Sequence, residues 1–192
     1  MSDRTVGSAA RVLHFWLNEL GPAGWYAGTA DIDEAVRTRF LDDWEEARAG
    51  GHGLWLTDPE GVLAYLILTD QIPRNMFRGG PQSFDTDPLA LAAARAAVAR
   101  GDDLQVPGPQ RQFFYLPFEH SENPADQEQA LSLFIDRMPE PEHVLHARAH
   151  QAIITRFGRF PTRNAALSRA STPDEVAWLE QGGYGAVLGA LR

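Results

Sequence analysis

Two stretches of the chain set cations beside aromatics and helix-breaking residues. "RFGRFPTRN", Arg156 to Asn164, holds three arginines, an asparagine, two phenylalanines and a proline in nine residues. "DQIPRNMFRG", Asp70 to Gly79, echoes it, with a proline shortly before Arg-Asn and an arginine beside phenylalanine. Arginine presents a planar fork of donors that matches a carboxylate or phosphate through two parallel hydrogen bonds. Arg74, Arg78, Arg156, Arg159 and Arg163, with the amides of Asn75 and Asn164, are therefore candidate ligands for an anion. Asp70 closes a wholly apolar segment. A carboxylate at a helix C-terminus opposes the macrodipole, so Asp70 calls for one of these cations. Two uses compete: a buried Asp–Arg clamp tying the middle of the chain to its end, and a pocket with arginines to spare for an anionic ligand.

A third stretch, "FYLPFEHSE" from Phe114 to Glu122, supplies Glu119, His120, Ser121 and Glu122. A histidine among carboxylates can give or take a proton near neutral pH, which makes His120 and Glu119 acid–base candidates. The same residues also suit the cap of a helix starting near Asn123. No nucleophile elbow of the G-x-S-x-G kind accompanies Ser121. His143, His146 and His150 share one face of a helix. Such spacing can converge on a metal ion, but no H-E-x-x-H or comparable set completes it, so no metal site is expected and packing is the favoured role. His150 stays an acid–base candidate because its helix turns it, with Arg156, toward an apolar side.

Composition narrows the chemistry. The 192 residues contain no cysteine and no lysine, so all 17 cations are arginine. Disulfides, thiolate nucleophiles, Schiff bases and lysine-dependent phosphate loops are thereby excluded. A formal charge of −9 argues against nucleic acid as a partner. The longest apolar run, "VLAYLIL", is too short to span a bilayer, and the first residues do not read as a signal peptide. A cytoplasmic protein with no membrane partner and no cofactor is expected.

The elements that must position these residues are helical. Asp58-Pro59, Asp87-Pro88, Asn123-Pro124 and the Thr172/Glu175 capping box mark starts, and Gly21, Gly50, Gly101 and Gly158 mark stops. Val36, Phe40 and Trp44 lie four apart in a helix that starts near Asp31. "VLAYLILTDQIP" is apolar all round and reads as a buried central helix, since no partner strand exists. "TRNAALSRA" reads as a short helix. About eight helices result, an all-α chain expected to form a single compact domain over residues 1–192.

Taken together, "LHFWL", "LILTDQIPRNMFRG", "FDTDPLAL", "FYLPFEHSE" with Gln127, and "HQAIITRFGRFPTRN" followed by "SRASTPDE" resemble an uncharacterised bacterial family, the domain of unknown function nine-two-four. The resemblance runs in order along most of the chain. It implies an α–α superhelix of the tetratricopeptide-like superfamily and no particular activity. The expected function is therefore a pocket for a small carboxylate- or phosphate-bearing molecule, either bound only or bound and turned over. It would be built from Asp70, Arg74, Asn75, Arg78, Arg156, Arg159, Arg163 and Asn164, with Glu119, His120 and His150 transferring protons. The anion is expected where "RFGRFPTRN" passes into the next helix, at that helix's N-terminus. The alternative is a tetratricopeptide-like module that holds a peptide or its carboxylate without catalysis.

Overall fold

The computed structural model describes residues 2–192, with side chains from residue 8 onward. Among the described residues there is no strand, and the chain is all-α. Among the described residues eight helices have eight residues or more: α1 (Ser2–Leu13), α2 (Ala30–Arg48), α3 (Pro59–Leu66), α4 (Asp87–Arg100), α5 (Pro124–Arg137), α6 (Pro141–Phe157), α7 (Pro173–Glu180) and α8 (Gly183–Leu191). They belong to two compact units, Met1–Pro117 and Phe118–Arg192.

In the first unit α3 is the buried centre. Asp58 caps it, its side chain accepting from Gly61 N at 2.9 Å, and Pro59 opens its first turn. α1, α4 and the turn Gly53–Thr57 pack around it. Gly61 through Met76 is buried apart from Arg74, as an all-round apolar segment requires. Val36, Phe40 and Trp44 of α2 are fully buried, so the four-residue spacing marks the inner face.

The central helix does not stop at Pro73, as the sequence suggests. It widens to π-helical turns over Ile67–Gln71 and resumes over Ile72–Met76. Pro73 has no N–H to give the carbonyl of Thr69, and its ring crowds that carbonyl, so the helix must open there. The Thr86 hydroxyl donates to Thr69 O at 2.6 Å, and Trp44 Nε1 donates to Thr86 Oγ1 at 3.1 Å. A relay of side chains thus occupies the carbonyl that the proline cannot serve. Thr86 occupies the position before α4, with Asp87 already inside the first turn.

In the second unit α6 lies between α5 and α8. Ile153, Ile154, Phe160 and Trp178 form the buried core, with Phe157, Tyr184 and Val187 packed against it. α7 starts at the capping box expected from the sequence: Glu175 N donates to Thr172 Oγ1 at 3.3 Å, and Thr172 N donates to Glu175 Oε2 at 2.8 Å.

Two segments differ from expectation. "TRNAALSRA" is not a helix but a single 3₁₀ turn, Pro161–Arg163, followed by hydrogen-bonded turns. Asn164 and Arg169 close this loop on each other through main chain and side chains, which competes with helix formation. α8, rich in glycine and poor in intrinsic propensity, is nevertheless helical because Tyr184 and Val187 are held by the core.

Gly61 offers a sharp test of the central packing. A Cβ there would come within 2.2 Å of Trp55 O, a backbone atom that cannot swing aside. We expect Gly61→Ala to destabilise the chain by about 1–3 kcal/mol through overpacking, despite the better helix propensity of alanine. A urea midpoint that falls with an unchanged m-value is the expected reading.

Candidate functional site

The first arginine motif finds its acids within the first unit. Asp70, 1% exposed, has Arg74 as a near partner, with the guanidinium 3.6 Å from its carboxylate and donating to its main-chain carbonyl. The same guanidinium meets both carboxylate oxygens of Asp87 at 3.0 Å. The clamp that Arg74 makes on Asp70 is local, one helical turn along. Gln71 Nε2 also donates to Asp70 Oδ2.

Asn75 and Arg78 turn to Asp33 of α2. Arg78 Nε and Nη2 each donate to the Asp33 carboxylate at 2.8 Å, a two-bond fork, and Asn75 Nδ2 donates at 2.9 Å. The hydrogen bond from Arg78 holds the Asp33 carboxyl below the usual range, against the opposing effect of burial. Beside them Arg37 donates to Met76 O, with its guanidinium 5.8 Å from the centre of the Phe77 ring. These residues line an open cleft of about 540 Å³, bounded also by Gly80 and Gln82.

In the second motif Arg156 is half exposed and pairs with Asp174 at 2.8 Å, so the inward placement read from the helical wheel is corrected. Its position on the last turn lets it swing to α7. Arg159 makes a fork with Glu175, at 2.6 and 2.7 Å. Glu175 is 2% exposed, and that fork, with the Thr172 N–H and the amide of Asn164, draws its pKa down to about 2. Asn164 is buried, donating to Ser171 Oγ and Glu175 Oε2 and accepting from Arg169 Nε. Arg169 in turn forks onto Glu122 at 2.7 and 2.9 Å. Arg163 donates to His120 O at 2.9 Å and lies 4.7 Å from the Phe160 ring centre. With no helix following Pro161–Arg163, the expected N-terminal anion seat is not formed there.

The third motif gathers the acid–base candidates. Gln127 Nε2 donates to the carbonyls of Glu119 and Ser121, both at 2.6 Å, and pins the turn that carries them. Glu119 Oε1 lies 2.8 Å from His150 Nδ1, which also faces His146 O at 2.9 Å. Both are acceptors, so Nδ1 carries hydrogen whatever the charge of the ring, and Nε2 is the nitrogen that titrates. Tyr184 OH stands 2.6 Å from His146 Nδ1 and 3.4 Å from His150 Nδ1. The His120 ring is 6.2 Å from that of His150.

The electrostatics separate the two helical histidines. Burial pushes His150 down, but the charge of Glu119 and its hydrogen bond outweigh that and leave it above its ordinary value. Burial pushes His146 down and prevails. Burial pushes Glu119 up, yet the His150 charge and hydrogen bond leave it below the carboxylate range. Glu119 Oε2 is buried without a hydrogen-bond partner among the described residues. His143 instead stacks on Phe134, ring centres 5.6 Å apart and 16° from parallel. Among the described residues no three histidine or carboxylate side chains are placed to hold a metal ion, and no helix is long and apolar enough to cross a membrane.

Arg37, Asp33, His146 and Tyr184 were not singled out from sequence for these contacts. Arg37 and Asp33 lie about 40 residues before the motif they serve. Tyr184 sits in a glycine-rich segment that gave no helical signal.

The Glu119–His150 pair makes stability depend on pH from both sides. The raised His150 contributes fully below its unfolded value of 6.5 and loses that contribution as pH rises through its folded value. The lowered Glu119 contributes above its unfolded value of 4.5 and loses it as pH falls through its folded value. We expect His150→Gln to cost about 3 kcal/mol between these two values, where a buried carboxylate loses its cation. The gap should narrow toward both extremes in denaturant titrations run from pH 3 to 9.

No curated protein matches the chain. A solved structure of a protein of unknown function from Agrobacterium tumefaciens, ATU0120, is similar, with 40% sequence identity and a TM-score of 0.87. The match covers 92% of this chain and 99% of that one. Residues 12–183 match a family described as bacterial protein of unknown function (DUF924). With that match running through the arginine motifs and the Glu119–His150 pair alike, the chain belongs to this bacterial family of unknown function.

Proposed function

We propose that the chain binds a small molecule bearing a carboxylate or phosphate in the cleft lined by Arg37, Asn75 and Arg78. The observation that supports this reading is the charge of the lining: two guanidiniums face one carboxylate, Asp33, in a protein whose formal charge is −9. A cleft of about 540 Å³ is of the size that takes a metabolite. Both cations are fixed before any ligand arrives, Arg78 by its fork on Asp33 and Arg37 by the carbonyl of Met76. Fixed donors lose little freedom on binding, which is where pre-organised sites gain affinity. Gln82 and the amide of Asn75 add neutral hydrogen-bonding groups at the rim and floor.

The remaining arginines of the motifs contribute differently. Arg74 is engaged with carboxylates in the first unit, and Arg156, Arg159 and Arg169 with carboxylates in the second, so each holds the fold of its own unit. A free metabolite and the C-terminal carboxylate of a peptide offer the same anionic group. A thermal-shift series with inorganic phosphate, citrate and a short N-acetylated peptide with a free C-terminus separates them. We expect at least one small anion to raise the melting temperature through linkage. Arg37→Gln and Arg78→Gln should each remove most of that shift. Shifts that are absent, or equal in all three proteins, would refute the cleft; a shift confined to the peptide would favour the peptide-binding reading.

A further inference from the structure

The Glu119–His150 pair takes no part in the anion cleft of the first unit, and its geometry carries a separate conclusion. We propose that the second unit holds a hydrolytic acid–base site, in which Glu119 fixes His150 so that Nε2 of the ring activates water against a small carboxylic ester.

Three observations bear on this. Nδ1 is committed to two acceptors, Glu119 Oε1 and the His146 carbonyl, so the ring is held in the tautomer that leaves a lone pair on Nε2. The side chain of His150 is 19% exposed, against 4% for Glu119. A partly exposed base thus rests on a carboxylate withdrawn from solvent. Glu119 also has a second oxygen, buried and without a hydrogen-bond partner among the described residues, so its charge is not spent on other donors. It remains available to an imidazolium, as a carboxylate behind a catalytic histidine must be.

Water is the nucleophile by elimination. The Tyr184 hydroxyl faces His146 and His150 Nδ1, not Nε2. Ser121 Oγ donates to Asp126 at 2.6 Å, and the chain has no cysteine or lysine. In the step proposed, Nε2 takes a proton from water as the water oxygen bonds to the acyl carbon and the carbonyl electron pair moves onto oxygen. Collapse of the tetrahedral species breaks the bond to the alcohol oxygen, which takes the proton back from Nε2. Ester and water become acid and alcohol, with no oxidant or cofactor required. Besides Glu119, the charged or titratable groups near His150 are His120, His146, Tyr184 and the guanidinium of Arg163, the last supplying positive charge close to the base.

The test is hydrolysis of p-nitrophenyl acetate from pH 5 to 9. With no thiol or lysine in the chain, acyl transfer to such groups cannot confuse the readout. We expect the wild type to exceed free imidazole at equal concentration by roughly a hundredfold, the range of general base catalysis. His150→Gln should fall to background while keeping its helical circular dichroism. Glu119→Gln should lower the rate and move the pH midpoint downward, because the carboxylate no longer holds the imidazolium. Arg39→Gln, on the exposed side of α2 in the other unit, should leave the rate unchanged, and ester hydrolysis does not read anion binding, so this site and the anion cleft stand or fall separately. Equal rates in wild type and His150→Gln would overturn the proposal. If Glu119→Gln does not fold, nitrogen-15 titration of the wild-type ring decides: Nε2 must titrate while Nδ1 stays protonated, and titration at Nδ1 would overturn it.

Discussion

A carboxylate withdrawn from water must meet a cation, and this requirement shapes the chain more than any other polar interaction. Asp70, Glu119 and Glu175 are all within 3% of complete burial, and Asp33, Asp87 and Glu122 are largely covered. Each has a cation within 4 Å: four arginines serve five of these acids, Arg74 meeting both Asp70 and Asp87, and the imidazole of His150 serves Glu119. This explains why so acidic a protein concentrates arginine at two places. Most of those arginines answer buried acids, and an acid left alone in such surroundings would cost several kcal/mol or give up its charge. Arginine suits the task because a fork satisfies both oxygens at once, as at Glu175, Asp33 and Glu122.

Much of the helical framework was legible because helix ends carry local signatures. Asp58-Pro59, Asn123-Pro124 and the Thr172/Glu175 box each act within four residues, and each marks an observed start. The family resemblance was legible in the same local way, since its motifs are unbroken strings. What escaped was whatever depends on a distant partner. The opening of the helix before Pro73 needs Thr86 and Trp44, which no pattern around Pro73 announces. The helical reading of "TRNAALSRA" failed because Asn164 and Arg169 found better partners in each other and in Glu175. α8 escaped because three glycines conceal a helix that only its docked face sustains.

The candidate site residues show the same limit. Their types were visible, whereas their partners were not: Arg78 with Asp33, Arg159 with Glu175, His150 with Glu119 are 45, 16 and 31 residues apart, the first two set by folding of whole helices. Within the motifs themselves arginine looks plentiful, because Asp70, Glu119 and Glu122 are the only acids there. The acids that matter to Arg78, Arg156 and Arg159 lie outside the motifs altogether. The pairing of Glu119 with His150, by contrast, joins two residues that the sequence had marked independently.

Glu175 closes the start of α7 through the Thr172 N–H and, with the same carboxylate, grips Arg159 and Asn164. One group thereby serves a local task and a tertiary one. The first turn of α7 cannot fray without loosening the loop that holds Asn164, and the loop cannot release Arg159 without uncapping α7. Amide protons of both segments should accordingly become exchangeable in a single opening event, giving this part of the second unit one cooperative threshold where separate contacts would have given two.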